Sequence, residues 1–298
     1  MSIRFAPSPT GDLHVGNLRT AWISWRLSQL YSMPWHLRFE DIDGPRVVPG
    51  SLERQLSDLA ALGMKPTRMT IQSANRIRHR MLFEKARQEG LAYPCTCSRR
   101  EIGEALEHSA SAPHSAHPAL YTGNCRNLTS QPGDRARSDL PGLAWRFRMP
   151  VDTTGASDFI LGRTSLDGDS WRTFSPAYHW ACAIDDIDGK HEILVRSIDL
   201  TTALPLQRAI WHWLGASPGP AVFHTALVVQ EIPGDSQQHG RRLEKRTRGV
   251  TWFELKAQGF TPEKLLRAFE HSFRPPLRIP GPGTETAETI GQIAVTRL

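Results

Sequence analysis

The chain has 298 residues, with 36 basic and 30 acidic side chains, a formal net charge of +6 and 39% hydrophobic residues. This length allows a full core, so we expect one large domain with a smaller insertion or appendage. The sequence contains no apolar run long enough for a membrane span and no basic-then-apolar leader, so we expect a soluble, cytoplasmic protein. The mild basic excess suits a polyanionic partner such as a nucleic acid without requiring one.

The first predicted elements are a short strand and a helix, joined by a turn-rich segment that reads RFAPSPTGDLHVGN over residues 4–17. Apolar side chains recur at helical spacing after it, at Leu18, Ala21, Trp22 and Trp25. A turn that leads into a helix N-terminus can bind an anion, because it presents backbone N–H groups and the positive end of the helix dipole.

Four residues of this turn have the right chemistry for a phosphate group. Gly11 and Gly16 allow the backbone to come close to a ligand, while His14 and Asn17 can donate hydrogen bonds to phosphate oxygens. A packed corner between strand and helix explains the same residues without a ligand. On these residues alone, the packed corner is the simpler interpretation.

A second strand is predicted over residues 35–41, followed by a turn at residues 42–46. Strand, helix and strand together begin a βαβ unit and therefore a parallel sheet. Ligands of such sheets bind at the carboxyl ends of the strands, where both the turn before the first helix and Glu40 would lie. An acidic strand end that faces solvent is the alternative. From Ser51 to Gln88 we expect only helices, whose basic residues face solvent.

Three of the four cysteines lie together at Cys95, Cys97 and Cys125, on either side of a segment rich in Ser, Ala, His and Pro. A C-x-C pair with a third cysteine is typical of a tetrahedral zinc site, which can stabilise a subdomain too small for its own core. Free thiols are the alternative. By ligand chemistry the fourth ligand would be a histidine, and the segment offers His108, His114 and His117. Cys182 lies in an apolar run and is predicted to belong to the core.

The second half of the chain again alternates strands and helices. We predict strands over residues 145–148, 158–161, 191–196 and 222–229, a hairpin turn at Asp185–Gly189 and a helix over residues 204–214. The repeated β-α-β order indicates a doubly wound sheet. Two short helices follow, the second with Thr261 as N-cap and Pro262 at its first position. From Arg274 onward the chain is rich in Pro and Gly, and we expect it to be poorly ordered.

These motifs together resemble the class I aminoacyl-tRNA synthetases of the glutamyl type. HVGN stands where that family has its HIGH motif, and Arg38-Phe-Glu-Asp-Ile-Asp43 is similar to its R-x-E-D-x-D segment. The basic run at residues 241–246, RRLEKR, stands where the family has its second ATP motif, KMSKS. The pattern C-x-C…Y-x-x-x-C is similar to that of the glutamyl-Q tRNA(Asp) synthetases, which are truncated relatives of glutamyl-tRNA synthetase.

The resemblance implies roles for particular residues. His14, Asn17 and Lys245 would act on the triphosphate of ATP with Mg²⁺, and Gly11 and Gly16 would belong to the same ATP site. The residues that would hold the substrate L-glutamate are Arg4, Ser8, Glu40, Tyr178 and Arg196.

The resemblance also implies the ligands of one structural zinc ion. They would be Cys95, Cys97, Tyr121 and Cys125, so Tyr121 would take the place of a histidine. Two departures from the family pattern stand out. Ser197 replaces the glycine that follows the arginine, and Glu244 replaces a serine of KMSKS with a carboxylate that would repel phosphate unless it is paired.

The fold expected from the resemblance is α/β, with the Rossmann-like doubly wound parallel sheet of class I synthetases. Residues 1–90 would form its first half, 91–150 an inserted zinc-binding subdomain, 151–250 the second half with the KMSKS-like loop, and 251–298 a helical segment with a Pro/Gly-rich tail. The long anticodon-reading domain of full glutamyl-tRNA synthetases would be missing.

The implied reaction is activation of L-glutamate with ATP to glutamyl-adenylate, without tRNA, by a monomer. The glutamyl group would then pass to the queuosine base of tRNA(Asp). Three alternatives stay open. The chain could charge tRNA(Glu), it could be a non-catalytic paralogue that binds RNA, or it could be a nucleotidyltransferase that makes a small-molecule adenylate.

Overall fold

The structure is a computed structural model, and it describes residues 1–97, 121, 123–127, 143–150, 157–166, 172–230, 241–242, 250–273, 281–288 and 292–294. The chain divides into two compact units. The first comprises residues 1–74, 185–202 and 215–298, and the second comprises residues 75–184 and 203–214.

A six-stranded sheet forms the centre of the first unit. Its strands are β1 (Ile3–Phe5), β2 (Trp35–Phe39), β3 (Arg68–Ile71), β8 (Ile193–Ser197), β9 (Ala221–Thr225) and β12 (Glu285–Ala287). They lie in the order β12-β9-β8-β1-β2-β3, and every neighbouring pair is parallel. The parallel α/β sheet predicted from the sequence is therefore confirmed.

The first unit contains the predicted helix after the HVGN turn, a helix within residues 51–88 and the two predicted short helices near the end of the chain. They are α1 (Val15–Leu30), α2 (Ser51–Ala61), α6 (Trp252–Ala257) and α7 (Pro262–Ser272). The Thr261 side chain caps α7 by accepting a hydrogen bond from a backbone N–H, as its position before Pro262 predicted. Trp22 of α1 packs against Phe269 of α7, with ring centroids 6.0 Å apart, and both side chains are buried. No helix in the described part of the chain is long and apolar enough to span a bilayer.

The two faces of this sheet differ in chemistry although both are buried. Because side chains alternate along a strand, Ile3 and Phe5 of β1 lie on one face with Trp35, Leu37 and Phe39 of β2. The opposite face carries buried polar side chains, namely Arg4, His36, Arg38, Arg196 and His224. A buried sheet face with this many cationic or basic groups requires counter-charges, and this requirement shapes the site described below.

The second unit is built on a four-stranded antiparallel sheet. Its strands are β4 (Ala92–Cys95), β5 (Leu143–Phe147), β6 (Phe159–Leu166) and β7 (Arg172–Pro176), paired in chain order. Its helices are α3 (Arg76–Gln88) and α5 (Leu204–Trp213), together with the first residues of α4 (Tyr178–Asp188). The sheet continues past the expected boundary at residue 150, because β6 pairs with β5 and β7 pairs with β6.

Three local predictions were wrong. Residues 185–189 do not form a hairpin turn, because Asp185–Asp188 continue α4. The run 51–88 contains a strand, β3, in addition to its helices. The predicted strand over residues 222–229 is two strands, β9 and β10 (Leu227–Gln230), and β10 belongs to a separate sheet with β11 (Arg241–Arg242) and β13 (Gln292–Ala294). The chain changes sheets at Ala226, whose N–H donates to the Glu288 carboxylate at 2.7 Å.

The expected disorder of the chain after Arg274 was also wrong for the described residues there. β12 pairs with β9, and β13 pairs with β10. Glu288 accepts two hydrogen bonds from the Arg19 guanidinium of α1, each of 2.7 Å, and both side chains are buried. The C-terminal segment therefore extends two sheets and supplies the counter-charge of a buried arginine, which a Pro/Gly-rich composition does not indicate.

Candidate active site and metal centre

The turn before α1 is closed by its own histidine. His14 is the N-cap of α1, and its Nδ1 accepts hydrogen bonds from the N–H groups of Gly16 (3.1 Å) and Asn17 (3.3 Å). The N–H of Val15 donates to the carbonyl of Val250 at 2.7 Å. The expected free N–H groups at this helix end are therefore already bonded. Because Nδ1 accepts, the proton of the neutral imidazole lies on Nε2, and His14 can donate to a ligand from that atom.

Each glycine of this turn has a specific reason to be there. A Cβ at Gly16 would lie 3.0 Å from Cε1 and 3.1 Å from Nδ1 of His14, so the ring could not fold back over the helix end without a shift. Gly11 has φ +135°, a backbone conformation that residues other than glycine rarely adopt.

The loop between β1 and α1 is fixed by donors from the next segments of the chain. The N–H of Glu40 donates to the carbonyl of Pro7 at 2.9 Å. The Gln55 amide of α2 donates to the carbonyls of Ser8 (3.2 Å) and Gly11 (2.6 Å). The first motif and the carboxyl end of β2 are thus joined directly, which brings His14, Ser8 and Glu40 to the same edge of the sheet.

A buried network of charges lies on the polar face of the sheet. Arg4 donates two hydrogen bonds to the Asp186 carboxylate, of 3.1 and 2.9 Å, and Arg38 donates one of 2.7 Å to the same group. Arg38 also donates to the Glu40 carboxylate at 2.9 Å. Burial alone would raise the pKa of Asp186, but Arg38 and Arg4 outweigh it and lower that pKa to about 2. Asp186 is therefore an anion at neutral pH.

Two histidines border this network as neutral side chains. His36 bonds to the Thr70 hydroxyl at 2.8 Å, His191 bonds to the Ser2 hydroxyl at 2.8 Å, and the two rings meet edge to face. Burial, together with the nearby arginines, lowers the pKa of His36 to about 4 and that of His191 to about 3. The two histidines therefore add no charge to the network. Its two arginines, Arg4 and Arg38, are balanced by its two carboxylates, Asp186 and Glu40.

The remaining predicted glutamate ligands lie in different parts of the fold. Arg196 is buried near the end of β8, in register with His224 of β9. Burial and then Arg196 lower the pKa of His224, whose Nε2 lies 3.1 Å from a Glu285 carboxylate oxygen. Tyr178 is the first residue of α4 and belongs to the second unit, whereas Arg196 belongs to the first.

Part of the chain that follows the RRLEKR run contacts the turn before α1. Lys245 and Glu244 lie outside the described residues, so their predicted roles stay predictions. Further along the chain, Thr251 forms an antiparallel bridge with His14, next to the Val15–Val250 hydrogen bond. Asn17 is partly buried, and among the described residues its enclosed Oδ1 has no hydrogen-bond partner.

Sequence reasoning missed the central residue of the charge network, Asp186. It was assigned to a turn because three aspartates precede Gly189. The sequence does contain a signal for a helix here, because helical spacing relates Tyr178, Ala181, Cys182 and Asp185. Arginines at alternate positions of predicted buried strands also demand an acidic partner from elsewhere in the chain.

The cysteines predicted to bind zinc do converge in the second unit. The Sγ atoms of Cys95, Cys97 and Cys125 all lie within 4.8 Å of one another. The Tyr121 hydroxyl lies 3.6 Å from Cys95 Sγ and 3.9 Å from Cys97 Sγ, and the Sγ atoms of Cys97 and Cys125 are 3.5 Å apart. A tetrahedron with metal–sulfur bonds of about 2.3 Å has edges of about 3.8 Å, so these four atoms fit such a site.

The donors of this cluster differ in acidity. Burial, followed by the neighbouring Cys125 and Cys95, raises the pKa of Cys97 to about 12. Burial also opposes ionisation of Cys125, but hydrogen bonds from the backbone at Thr96 and from Tyr121 and Cys97 outweigh it and lower that pKa to about 7. Burial raises the pKa of Tyr121, whose oxygen accepts the Cys125 N–H at 2.7 Å. His108, His114 and His117 lie outside the described residues.

Comparison with known proteins identifies the family. The family model described as "tRNA synthetases class I (E and Q), catalytic domain" matches residues 1–278. The chain is 36% identical to a glutamyl-Q tRNA(Asp) synthetase of Nocardia farcinica over 93% of this chain and 86% of that protein. It is 34% identical to the protein of the same name from Deinococcus radiodurans, over 94% of this chain and 89% of that one.

Solved structures support the same fold. A glutamate tRNA ligase of Elizabethkingia meningosepticum, in complex with its amino acid, superposes with a TM-score of 0.69 at 24% identity, over 93% of this chain and 61% of that chain. A glutamate-tRNA synthetase of Elizabethkingia anophelis gives a TM-score of 0.71 at 21% identity, over 100% of this chain and 68% of that chain. The chain therefore belongs to the catalytic-domain family of class I tRNA synthetases of the E and Q type, and it is a ligase of that class.

Proposed function

We propose that this enzyme activates L-glutamate with ATP and then transfers the glutamyl group to the queuosine of tRNA(Asp). In the first step an oxygen of the glutamate α-carboxylate forms a bond to the α-phosphorus of ATP. The bond from that phosphorus to the bridging oxygen of the β-phosphate breaks, and pyrophosphate leaves with the electron pair. Positioning and charge stabilisation are sufficient for such a step, so no nucleophile of the protein is needed.

The observation that carries the proposal is the position of Glu40. Its carboxylate is held by Arg38 at the carboxyl end of β2, while its N–H is bonded to the RFAPSPTG loop through Pro7. A fixed, buried carboxylate is the group that binds a substrate ammonium. Arg4, Ser8 and Arg196 of the same unit would bind glutamate with Glu40, and the guanidinium of Arg196 suits the side-chain carboxylate of the substrate. The role proposed for Tyr178 rests on the family resemblance alone.

The proposed phosphate site lies beside it, at the start of α1. His14 presents its Nε2 proton because Nδ1 caps the helix, and Asn17 adds a side-chain amide. Gly11 and Gly16 permit the close approach of the backbone. Lys245, with Mg²⁺ bound to ATP, would neutralise the charge that develops on pyrophosphate.

We also propose that Cys95, Cys97, Cys125 and Tyr121 hold one structural zinc ion. The support is geometric: the Tyr121 oxygen lies 3.6 and 3.9 Å from the sulfurs of Cys95 and Cys97, those of Cys97 and Cys125 are 3.5 Å apart, and all three sulfurs lie within 4.8 Å of one another. When bound, zinc would tie β4 to the segment around Cys125 and hold the sulfurs as thiolates. Zinc supplies no step of the proposed reaction.

The choice of queuosine in tRNA(Asp) as acceptor rests on the relatives named above, which carry that function in their names. Two measurements test the proposal. The first is exchange of labelled pyrophosphate into ATP, which should require L-glutamate and no tRNA. The second is transfer of labelled glutamate to tRNA(Asp) with queuosine, to tRNA(Asp) without it, and to tRNA(Glu).

The outcomes separate the candidates. Transfer only to the queuosine-bearing tRNA(Asp) supports the proposal, whereas transfer to tRNA(Glu) would assign the chain to ordinary glutamyl charging. Failure of the glutamate-dependent exchange without tRNA would contradict the proposal, and failure of both the exchange and the transfer would favour a non-catalytic RNA-binding role.

Glu40→Gln tests whether Glu40 binds the amino group of the substrate glutamate. The substitution keeps the size of the side chain and removes its charge, so we expect KM for glutamate to rise about 100-fold or more with little change in KM for ATP. Glu53→Gln on α2 is the matched control outside the site. Equal losses for both substrates would make Glu40 a structural residue instead.

A further inference from the structure

An arginine of the second unit touches two of the four proposed metal ligands. Arg146 of β5 is buried, and its Nε donates to Cys95 Sγ at 3.2 Å. Its Cζ lies 3.6 Å from the centroid of the Tyr121 ring. The only other hydrogen bond of its guanidinium within the described residues goes to the Asp158 carbonyl at 3.0 Å.

Among the described residues, this arginine has no carboxylate as its counter-charge. The carboxylate of Asp158, whose carbonyl accepts from Arg146, is used by Tyr93, by the N–H of Met149 and by Arg126. A buried guanidinium is costly without an anion beside it, and a metal-bound thiolate at Cys95 would be such an anion.

We propose that Arg146 is a positioning residue of the metal centre, which orients Cys95 and Tyr121 and balances the charge of the loaded site. Three thiolates and a neutral Tyr121 hydroxyl around Zn²⁺ would carry a net charge of −1, which Arg146 would offset. The hydrogen bond from Nε selects one orientation of the Cys95 sulfur, and the guanidinium over the aromatic face holds the Tyr121 ring towards the cluster. The inference rests on the zinc site proposed above.

The neighbouring Arg148 provides a matched control. It lies two residues further along the chain, and its Cζ is 5.0 Å from the centroid of the Tyr93 ring, so it also places a cation over a tyrosine. Its hydrogen bonds go to the carbonyls of Gly90 and Arg126, and it contacts none of the proposed ligands.

The test is the zinc affinity of wild type, Arg146→Met, Arg146→Lys and Arg148→Met, measured by competition with a chromophoric chelator. We expect Arg146→Met to bind zinc about 10- to 100-fold more weakly, Arg146→Lys to lie between, and Arg148→Met to equal wild type. Replacing zinc by Co²⁺ gives a second measure, because the sulfur-to-cobalt absorption should shift in Arg146→Met and not in Arg148→Met.

A purely structural role for Arg146 gives a different result. It would lower the melting temperature equally with and without zinc, whereas we expect the rise in melting temperature on zinc addition to be smaller in Arg146→Met than in wild type. Equal zinc affinity of wild type and Arg146→Met would overturn the inference and leave the zinc site standing. Absence of zinc binding by wild type would overturn the site and the inference together.

Should Arg146→Met fail to fold, Arg146→Lys decides the question. Lysine keeps the charge and loses the planar fork, so zinc affinity equal to wild type would refute the positioning role.

Discussion

Two buried arginine centres in this enzyme are neutralised in different ways. In the first unit, Arg4 and Arg38 share the carboxylate of Asp186, and Arg38 also holds Glu40. In the second unit, Arg146 has the sulfur of Cys95, the ring of Tyr121 and a backbone carbonyl as its neighbours. The first centre is complete without a ligand, because its charges balance within the protein. Among the described residues, the second centre would gain a counter-charge if the sulfur of Cys95 bound a metal as a thiolate.

The two centres therefore differ in how far they are preformed. A charge network that balances itself can hold Glu40 in place before any substrate arrives, which is the preorganisation that the proposed adenylate formation would require. The charge of Arg146, in contrast, would favour the metal-bound form of the cysteine cluster.

Asp186→Asn should have the largest effect, because it leaves two buried guanidinium groups without their common anion. Loss of one partner of a buried ion pair costs about 3–5 kcal/mol in free energy of unfolding. Chemical denaturation of the purified variant measures this cost. As a control, Asp43→Asn removes the exposed partner of Arg46, 3.6 Å away, and should change little. An Asp186→Asn protein as stable as wild type would show that the network is not needed for folding.

Zinc removal should destabilise the second unit by a smaller amount. If free zinc is held at a hundred times its dissociation constant, withdrawing it costs about 2.7 kcal/mol of apparent stability. Thermal unfolding with and without a chelator measures this loss, and Tyr121→Phe should reduce it. If Tyr121→Phe retained zinc with wild-type affinity, one of the histidines at 108, 114 or 117 would be the better candidate for the fourth ligand.

The pH dependence of the free energy of unfolding should reveal the neutral histidines of the first unit. Because the folded pKa values of His36 (about 4) and His191 (about 3) lie below the unfolded value, the unfolded chain binds more protons as pH falls. Their contribution is therefore fully present above about pH 6.5 and is lost as pH falls towards 4, at up to about 1.4 kcal/mol per pH unit for each group.

Substitutions that keep one hydrogen bond test this assignment. Gln at position 36 can reach the Thr70 hydroxyl, and Asn at position 191 can reach the Ser2 hydroxyl, so the double variant H36Q/H191N should show a flatter stability profile between pH 6.5 and 4. His212→Gln, at an exposed position of α5, is the control. An unchanged slope in the double variant would mean that other groups cause the acid sensitivity.

The exposed pair Arg54–Asp12 should have the smallest effect. Its atoms are 2.6 Å apart, as close as those of the buried pairs, but both side chains are accessible to solvent. We expect Arg54→Ala to cost about 0.2–1 kcal/mol, and less at high salt. Urea denaturation at two salt concentrations measures it. A loss as large as that of Asp186→Asn would imply that burial does not determine the strength of these pairs.

Much of the fold could be predicted from local patterns. The apolar spacing after Leu18 predicted α1, and the pair Thr261-Pro262 predicted the start of α7. The motifs in turn identified the family, which the comparisons confirm. Local patterns succeed here because caps, turns and amphipathic faces depend on residues only a few positions apart.

The failures share one physical cause, namely partners that are distant in sequence. β3 forms an edge strand because β2 pairs with it, and its own four residues have little apolar pattern. The C-terminal segment is ordered through Arg19 and through the edges of two sheets, although its composition suggests disorder. The role of Asp186 was missed because the arginines that it neutralises lie 148 and 182 positions away.

Sequence patterns identified the class of enzyme, the HVGN turn, the acidic end of β2 and the three clustered cysteines, because the residues of each pattern are contiguous or closely spaced. The three-dimensional structure was needed to show that His14 closes its own helix end, that Asp186 balances Arg4 and Arg38, and that Arg146 lies against Cys95 and Tyr121. These are pairings of buried charges and donors, and a buried charge finds its partner by position in space rather than by position in the chain.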